Sequence, residues 1–155
     1  MASLKKGDKL PIFTAQLDNG KTLSSEDLLG KNTVIFFYPK DNTRVCTAEA
    51  CSFRDEYSEF QSLNAEVIGI SSDSEQSHLG FRSKHGLQYP LISDKGGELR
   101  KAFGVPKKLG LIPGRVTYVI NAEGLVHSVF DSFFESEGHI EAAKSALKQL
   151  QEENA

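Results

Sequence analysis

Two segments of this chain, NTVIFFY (32–38) and AEVIGIS (65–71), are unbroken runs of β-branched, aliphatic and aromatic residues. That is the pattern of strands covered on both faces, the inner members of a parallel sheet. A parallel pair cannot be joined by a tight turn; it needs a crossover of a dozen or more residues. Residues 46–63 supply one, with Phe53, Tyr57 and Phe60 recurring at i, i+4 and i+7 on a helical stripe. A βαβ unit is therefore the frame into which everything else must fit.

The flanking segments extend that frame. IFTAQL, the turn DNG and KTL read as an irregular N-terminal hairpin, followed by a short helix with Ser24 as N-cap, Asp27 closing a capping-box-like pattern and Gly30 as stop. SDSEQSHLGFRSKHG is a helix started by Asp73 or Ser74 and ended by Gly86. YPLIS is a short strand, ELRKAFG a short helix stopped by Gly104, and VPKKLGLIPG a loop. RVTYVI, turn NAEG and LVHSVF form an antiparallel hairpin, and a last helix lines up Ile140, Ala143, Leu147 and Leu150. The pattern predicts an α/β, thioredoxin-like fold: a mixed central sheet flanked by helices, with an N-terminal β-hairpin extension. No repeat, low-complexity tract or linker divides residues 1–155, so a single domain is expected.

Charge excludes several function classes. Eighteen basic and 21 acidic residues leave a net charge of −3, and the longest basic runs are the pairs Lys5-Lys6 and Lys107-Lys108. Such a surface does not track phosphates, so no nucleic acid is expected as partner. No apolar run approaches the ~20 residues that span a bilayer, so no membrane is expected. The N-terminal MASLKKGDKLPIF has neither a signal-peptide core nor a transit-peptide composition. A cytoplasmic location is the expectation, with the plastid stroma as alternative if a transit peptide has been removed.

Both cysteines of the chain lie in FFYPKDNTRVCTAEAC, five residues apart, after the first covered strand. Asp41, Asn42 and Thr43 can all cap a helix; with Thr43 as N-cap, Cys46 falls in the first turn, where unpaired N–H groups and the helix dipole favour a thiolate. Arg44 adds a positive charge if it turns that way, whereas Cys51 sits at an ordinary helical position. Five helical residues separate the two Cα atoms by roughly 8–9 Å, while a disulfide needs about 4.4–6.8 Å. If the pair is redox-active, the helix start must unwind before the bond can form. Cys51 can equally be a small buried hydrophobe. A zinc site would need two further ligands, and His78, His85, His127 and His139 lack paired metal spacing, so they read as surface or partly buried polar residues. The C-x-x-C of disulfide exchangers is absent.

At these residues the chain resembles a peroxiredoxin, and specifically the peroxiredoxin Q (bacterioferritin comigratory protein) branch. PKDNTRVC carries that family's P-x-x-x-T/S-x-x-C motif from Pro39 through Thr43 to Cys46, PGRVTYVI carries its downstream arginine as Arg115, and Cys51 matches the branch's second cysteine. EVIGIS, YPLISD and FGVP follow in the branch's order. One departure is Arg44-Val45, where the branch often has Pro-Gly, which predicts a more regular helix start. The resemblance implies a thiol-dependent peroxidase. Cys46 attacks the O–O bond and becomes sulfenic acid, and Cys51 condenses with it into an intramolecular disulfide. Thr43 and Arg115 hold peroxide and thiolate, and Pro39 shields the sulfenate. It also implies recycling by thioredoxin or a similar dithiol protein, no flavin, haem, metal or nucleotide cofactor, and, with an internal resolving thiol, a monomer. The apolar Leu109–Ile112 stretch is expected to line a pocket accepting alkyl hydroperoxides.

Thiol acidity alone cannot make a peroxidase. Lowering a thiol pKa from ~8.5 to ~6 raises the thiolate fraction at pH 7 roughly 30-fold. The same drop costs about tenfold in nucleophilicity. Donors aimed at the breaking bond must supply the rest, at ~3 kcal/mol each, and the permanent charge of Arg115 makes it the best candidate. Arg54 reads as a helix-surface ion pair. A thiol–disulfide exchanger and a non-enzymatic redox sensor remain the competing readings.

Overall fold

The computed structural model describes residues 3–108 and 112–153. Its centre is a seven-stranded mixed sheet. The covered runs are its middle: β3 (Asn32–Phe37) and β4 (Ala65–Ser71) pair in parallel, with Val34 opposite Val67. β5 (Leu91–Ser93) extends the sheet in parallel beside β4. On the other side β8 (Val116–Ile120) pairs antiparallel with β3 and turns back into β9 (Val126–Asp131). The N-terminal hairpin, β1 (Thr14–Leu17) and β2 (Thr22–Ser24), closes the far edge antiparallel to β5. This is the predicted thioredoxin-like α/β architecture.

Alternation along β3 shows why its sequence is apolar throughout. Val34 and Phe36 face one layer, with Phe53, Phe60, Phe81, Ile140 and Leu147 from the helices; Ile35 and Phe37 face the other, with Leu99, Phe103 and Tyr118. The first layer holds α1 (Arg44–Asp55), α2 (Tyr57–Ser62), α3 (Glu75–His85) and α5 (Glu137–Glu153). The second holds α4 (Glu98–Phe103) and the hairpin. At Gly69 the strands come so close that a Cβ would lie 2.8 Å from both the Leu91 and Phe36 side chains.

Three details differ from expectation. The helix predicted over 46–63 is two helices, because Glu56 leaves helical geometry (φ −99°, ψ 5°). The one-residue break still delivers Phe53 and Phe60 to the same core, and Lys144 of α5 grips both Glu56 and Glu59 at 3.4 and 3.2 Å. The short helix expected after β2, with Ser24 as its cap, is present but of the 3-10 type (Ser25–Leu28), and the Asp27 carboxylate accepts from Ser24 N–H at 2.9 Å as read. The segment expected as a loop contains a two-residue ladder, β6 (Lys107–Lys108) against β7 (Ile112–Pro113). Leu109, Gly110 and Leu111, expected to line a pocket, lie outside the described residues.

Candidate active site

The antiparallel register sets Phe37 opposite Val116, which brings Arg115, one residue before β8, beside the exit of β3. From that exit the chain passes through half-buried Pro39 and turns at Asn42, a non-glycine residue at φ 65°. Thr43 (φ −89°, ψ 157°) is the N-cap of α1. The bond from Thr47 N–H to Thr43 O, 2.8 Å, opens the helical ladder, so the N–H groups of Arg44, Val45 and Cys46 precede it. Cys46 is thus in the first turn as expected, with its side chain only 1% exposed.

The side chain that meets it is Arg115. Its guanidinium donates in three directions: Nη2 to Cys46 Sγ at 3.2 Å, Nη1 to Glu49 Oε1 at 2.7 Å, and Nε to the Phe133 carbonyl at 2.9 Å. Burial works against its charge, but Glu49 and Cys46 outweigh that and hold it above the usual arginine range. Glu49 lies one turn below Cys46 and is fully buried; burial pushes its carboxyl up to about 8 despite the arginine. His139 of α5 stands behind Glu49, its Nδ1 3.5 Å from Oε2, and burial holds it down at about 4. A second buried arginine, Arg100, donates to the Tyr38 and Gly114 carbonyls at 3.1 Å each, clamping the β3 exit to the segment that carries Arg115. Gly114 itself packs so tightly that a Cβ would collide with the Pro106 carbonyl. A cavity of about 180 Å³ opens onto Arg115, lined also by Pro106, Lys107, Asp131 and Phe133.

Of the residues singled out from sequence, the structure joins Cys46 and Arg115. Thr43 is exposed and its hydroxyl donates to the Lys40 carbonyl at 2.8 Å, with no hydrogen bond to Cys46. Cys51 is half-buried on the same helix, and both thiols are free. Arg44 is exposed and, among the described residues, forms no ion pair or hydrogen bond with Cys46. Arg54 pairs with Asp55 at 2.9 Å, as read, and also donates to the His85 carbonyl.

Sequence reasoning missed Glu49 and the second arginine. For Glu49 a signal existed: Cys46, Glu49, Ala50 and Phe53 form one buried stripe at i, i+3, i+4, i+7, in which a carboxylate is out of place. The histidines need correction. His78 and His139 are fully buried rather than surface or partly buried residues, because each finds polar partners inside the fold. His78 Nδ1 lies 2.8 Å from Asp41 Oδ2, and its Nε2 lies 3.0 Å from the Ile92 carbonyl. A carboxylate on one side and a carbonyl on the other favour the doubly protonated ring. Burial opposes that charge, but Asp41 more than compensates and raises its pKa. Asp41, Asp73 and His78 bring ligand-type atoms within 4.8 Å of one another. Tyr38, Ser77, Ser71 and the Asp41 N–H already engage the carboxylates, so the cluster reads as a brace for the loop leading to Cys46.

A buried sulfur at a helix start, touched by a permanently charged donor beside a small cavity, is equipped for nucleophilic attack on a polarisable bond. Comparison with known proteins agrees. Residues 6–129 match the model of the AhpC/TSA family. The chloroplastic peroxiredoxin Q of Populus jackii is 43% identical over 96% of this chain and 70% of its own, and that of Arabidopsis thaliana 45% over 95% and 68%. Among solved structures, the peroxidoxin BcpB of Mycobacterium tuberculosis superposes with a TM-score of 0.87 at 34% identity, over 94% of this chain and 97% of that one. Peroxiredoxin Q of Xanthomonas campestris follows at 0.83 and 32%, over 90% and 96%. The chain belongs to the AhpC/TSA family, in its peroxiredoxin Q branch, and is a thiol-dependent peroxidase.

Proposed function

We propose that the 1–155 domain reduces hydrogen peroxide and organic hydroperoxides through Cys46 and is recycled through an internal disulfide. The observation that carries this reading is the 3.2 Å contact from Arg115 Nη2 to Cys46 Sγ. The Cys46 thiolate attacks one peroxide oxygen; the O–O bond breaks, an S–O bond forms, and the other oxygen leaves as hydroxide or alkoxide and takes up a proton. Arg115 stabilises the thiolate and the charge that moves onto the leaving oxygen. The Thr43 proton is committed to the Lys40 carbonyl, so Thr43 meets a peroxide only as an acceptor for its O–H. Pro39 covers the sulfenate.

Cys51 then displaces hydroxide from the sulfenic acid, giving the Cys46–Cys51 disulfide and water. α1 is regular from Arg44 to Asp55, so this step requires its start to unwind. A dithiol protein such as thioredoxin restores two thiols and leaves oxidised. Resolution within one chain suits a monomer. The chloroplastic relatives are compatible with the plastid-stroma alternative, which subcellular fractionation would test.

The test is rapid mixing of peroxide with reduced Cys51→Ser protein, where Cys46 is the sole thiol. Fast loss of one equivalent with a trappable sulfenic acid is expected, and none with Cys46→Ser. A Cys46 rate no better than a free thiol would sink the reading and favour the redox-sensor alternative.

A further inference from the structure

We propose that Glu49 is a neutral carboxylic acid in the working reduced enzyme, positioning Arg115 while leaving its charge to Cys46, and that its ionisation turns the site off at alkaline pH. This rests on the reading of Cys46 as the nucleophile. Among the described residues, Glu49 accepts from Arg115 through Oε1 alone, and its buried Oε2 has no hydrogen-bond partner. Burying an ionised carboxylate with one oxygen unpartnered costs stability even beside a guanidinium.

The neighbour of that oxygen decides the matter. His139 Nε2 lies 2.7 Å from the Ser132 carbonyl, which can only accept, so the ring proton is on Nε2. Nδ1, 2.8 Å from the Thr117 hydroxyl, is then a lone pair. A second ring proton is disfavoured by burial and by nearby Arg115. Oε2 therefore faces a lone pair across 3.5 Å. If Glu49 were ionised, Oε2 would lie buried beside a ring nitrogen that offers it no proton. A proton on Oε2 removes the uncompensated charge, while Nδ1 keeps the Thr117 hydroxyl as its donor.

The other groups around Glu49 do not offer a counter-charge. Tyr89, from the segment before β5, is a neutral phenol, driven well above its usual range first by burial. Arg100, from α4, is directed at the Tyr38 and Gly114 carbonyls and acts on Cys46. Among the described residues, Glu49 thus sees one cation, Arg115, which it shares with the Cys46 sulfur. With Glu49 protonated, the guanidinium keeps its orientation through Oε1 and its full charge faces the thiolate. Once Glu49 ionises, two anions compete for one guanidinium, and the two groups titrate as a pair.

The experiment is the pH profile of the second-order rate of peroxide consumption by reduced protein. The wild type is expected to show an alkaline falling limb centred near the value of about 8 for Glu49. The rate drops roughly tenfold one pH unit above it if only the protonated form works. Glu49→Ala, which removes the acceptor for Arg115, loses rate at every pH. Glu49→Gln restores it and abolishes the alkaline limb, because the amide oxygen still accepts and cannot ionise. An alkaline limb persisting in Glu49→Gln overturns the proposal. So does an infrared spectrum of the wild type at neutral pH without a buried protonated-carboxyl C=O band, which decides the question even if a variant misfolds. Failure of the wild type to consume peroxide at any pH would instead refute the role of Cys46, and is seen before any Glu49 variant is made.

Discussion

Removing one hydroxyl, in Tyr89→Phe, should accelerate disulfide formation without touching the peroxide step. Tyr89 is fully buried and its hydroxyl donates to the Ala50 carbonyl at 2.8 Å, one residue before Cys51. The bond ties α1 to the segment before β5 inside the stretch that the proposed Cys46–Cys51 resolution would open. The Ala50 carbonyl keeps its intrahelical donor in the variant, so no orphaned group is left behind. The loss is then the net value of one buried hydrogen bond, about 1 kcal/mol. If opening breaks this bond on the way to the disulfide, the open population rises roughly fivefold, since 1.36 kcal/mol is a factor of ten. The assay mixes reduced protein with one equivalent of peroxide, quenches with a thiol-alkylating reagent, and separates disulfide from sulfenic acid by mass. The disulfide rate should rise about fivefold, over-oxidation under excess peroxide should fall in step, and peroxide consumption should keep its rate. An unchanged disulfide rate would refute the reasoning, because opening would then stop short of Ala50.

Arg115→Lys keeps the charge but cannot donate to Cys46, Glu49 and Phe133 together. At ~3 kcal/mol for a lost preorganised donor, the peroxide rate should fall about 100-fold with the fold retained, and stopped-flow kinetics beside circular dichroism checks both. Gly114→Ala drives a Cβ into the Pro106 carbonyl. A loss of about 1–3 kcal/mol in urea melts is expected, as for overpacking, together with slower peroxide turnover as Arg115 shifts; native stability would contradict the packing. His78 carries a raised pKa in the folded state, so its contribution is full below the unfolded value of ~6.5 and is lost as pH rises through the folded value. Asp41, whose carboxyl is lowered by His78 and Tyr38 against the effect of burial, loses its contribution as pH falls. Denaturation midpoints across pH should therefore decline toward alkaline pH in the wild type, through His78 and through the raised carboxyl of Glu49, and the decline should be shallower in His78→Gln with the Glu49 part retained.

Sequence alone determined the sheet's interior and the place of Cys46 at a helix start. NTVIFFY and AEVIGIS are apolar on both faces, so they had to be inner parallel strands, and they are β3 and β4. PKDNTRVC, at a strand-to-helix junction, placed Cys46 in the first helical turn. Cys46 and Arg115 could be named because each sits in a local motif. What surrounds them could not, because it depends on pairing between segments far apart in the chain. The Phe37–Val116 register brings Arg115 to the β3 exit, and α5 lays His139 behind Glu49. Thr43 shows the converse: its cap position was legible, but the partner of its hydroxyl, the Lys40 carbonyl, depends on the loop's path. His78 and His139 look like ordinary polar residues along the chain. Only folding shows them sealed among acceptors, where a proton's position is dictated by neighbours that no local pattern reveals.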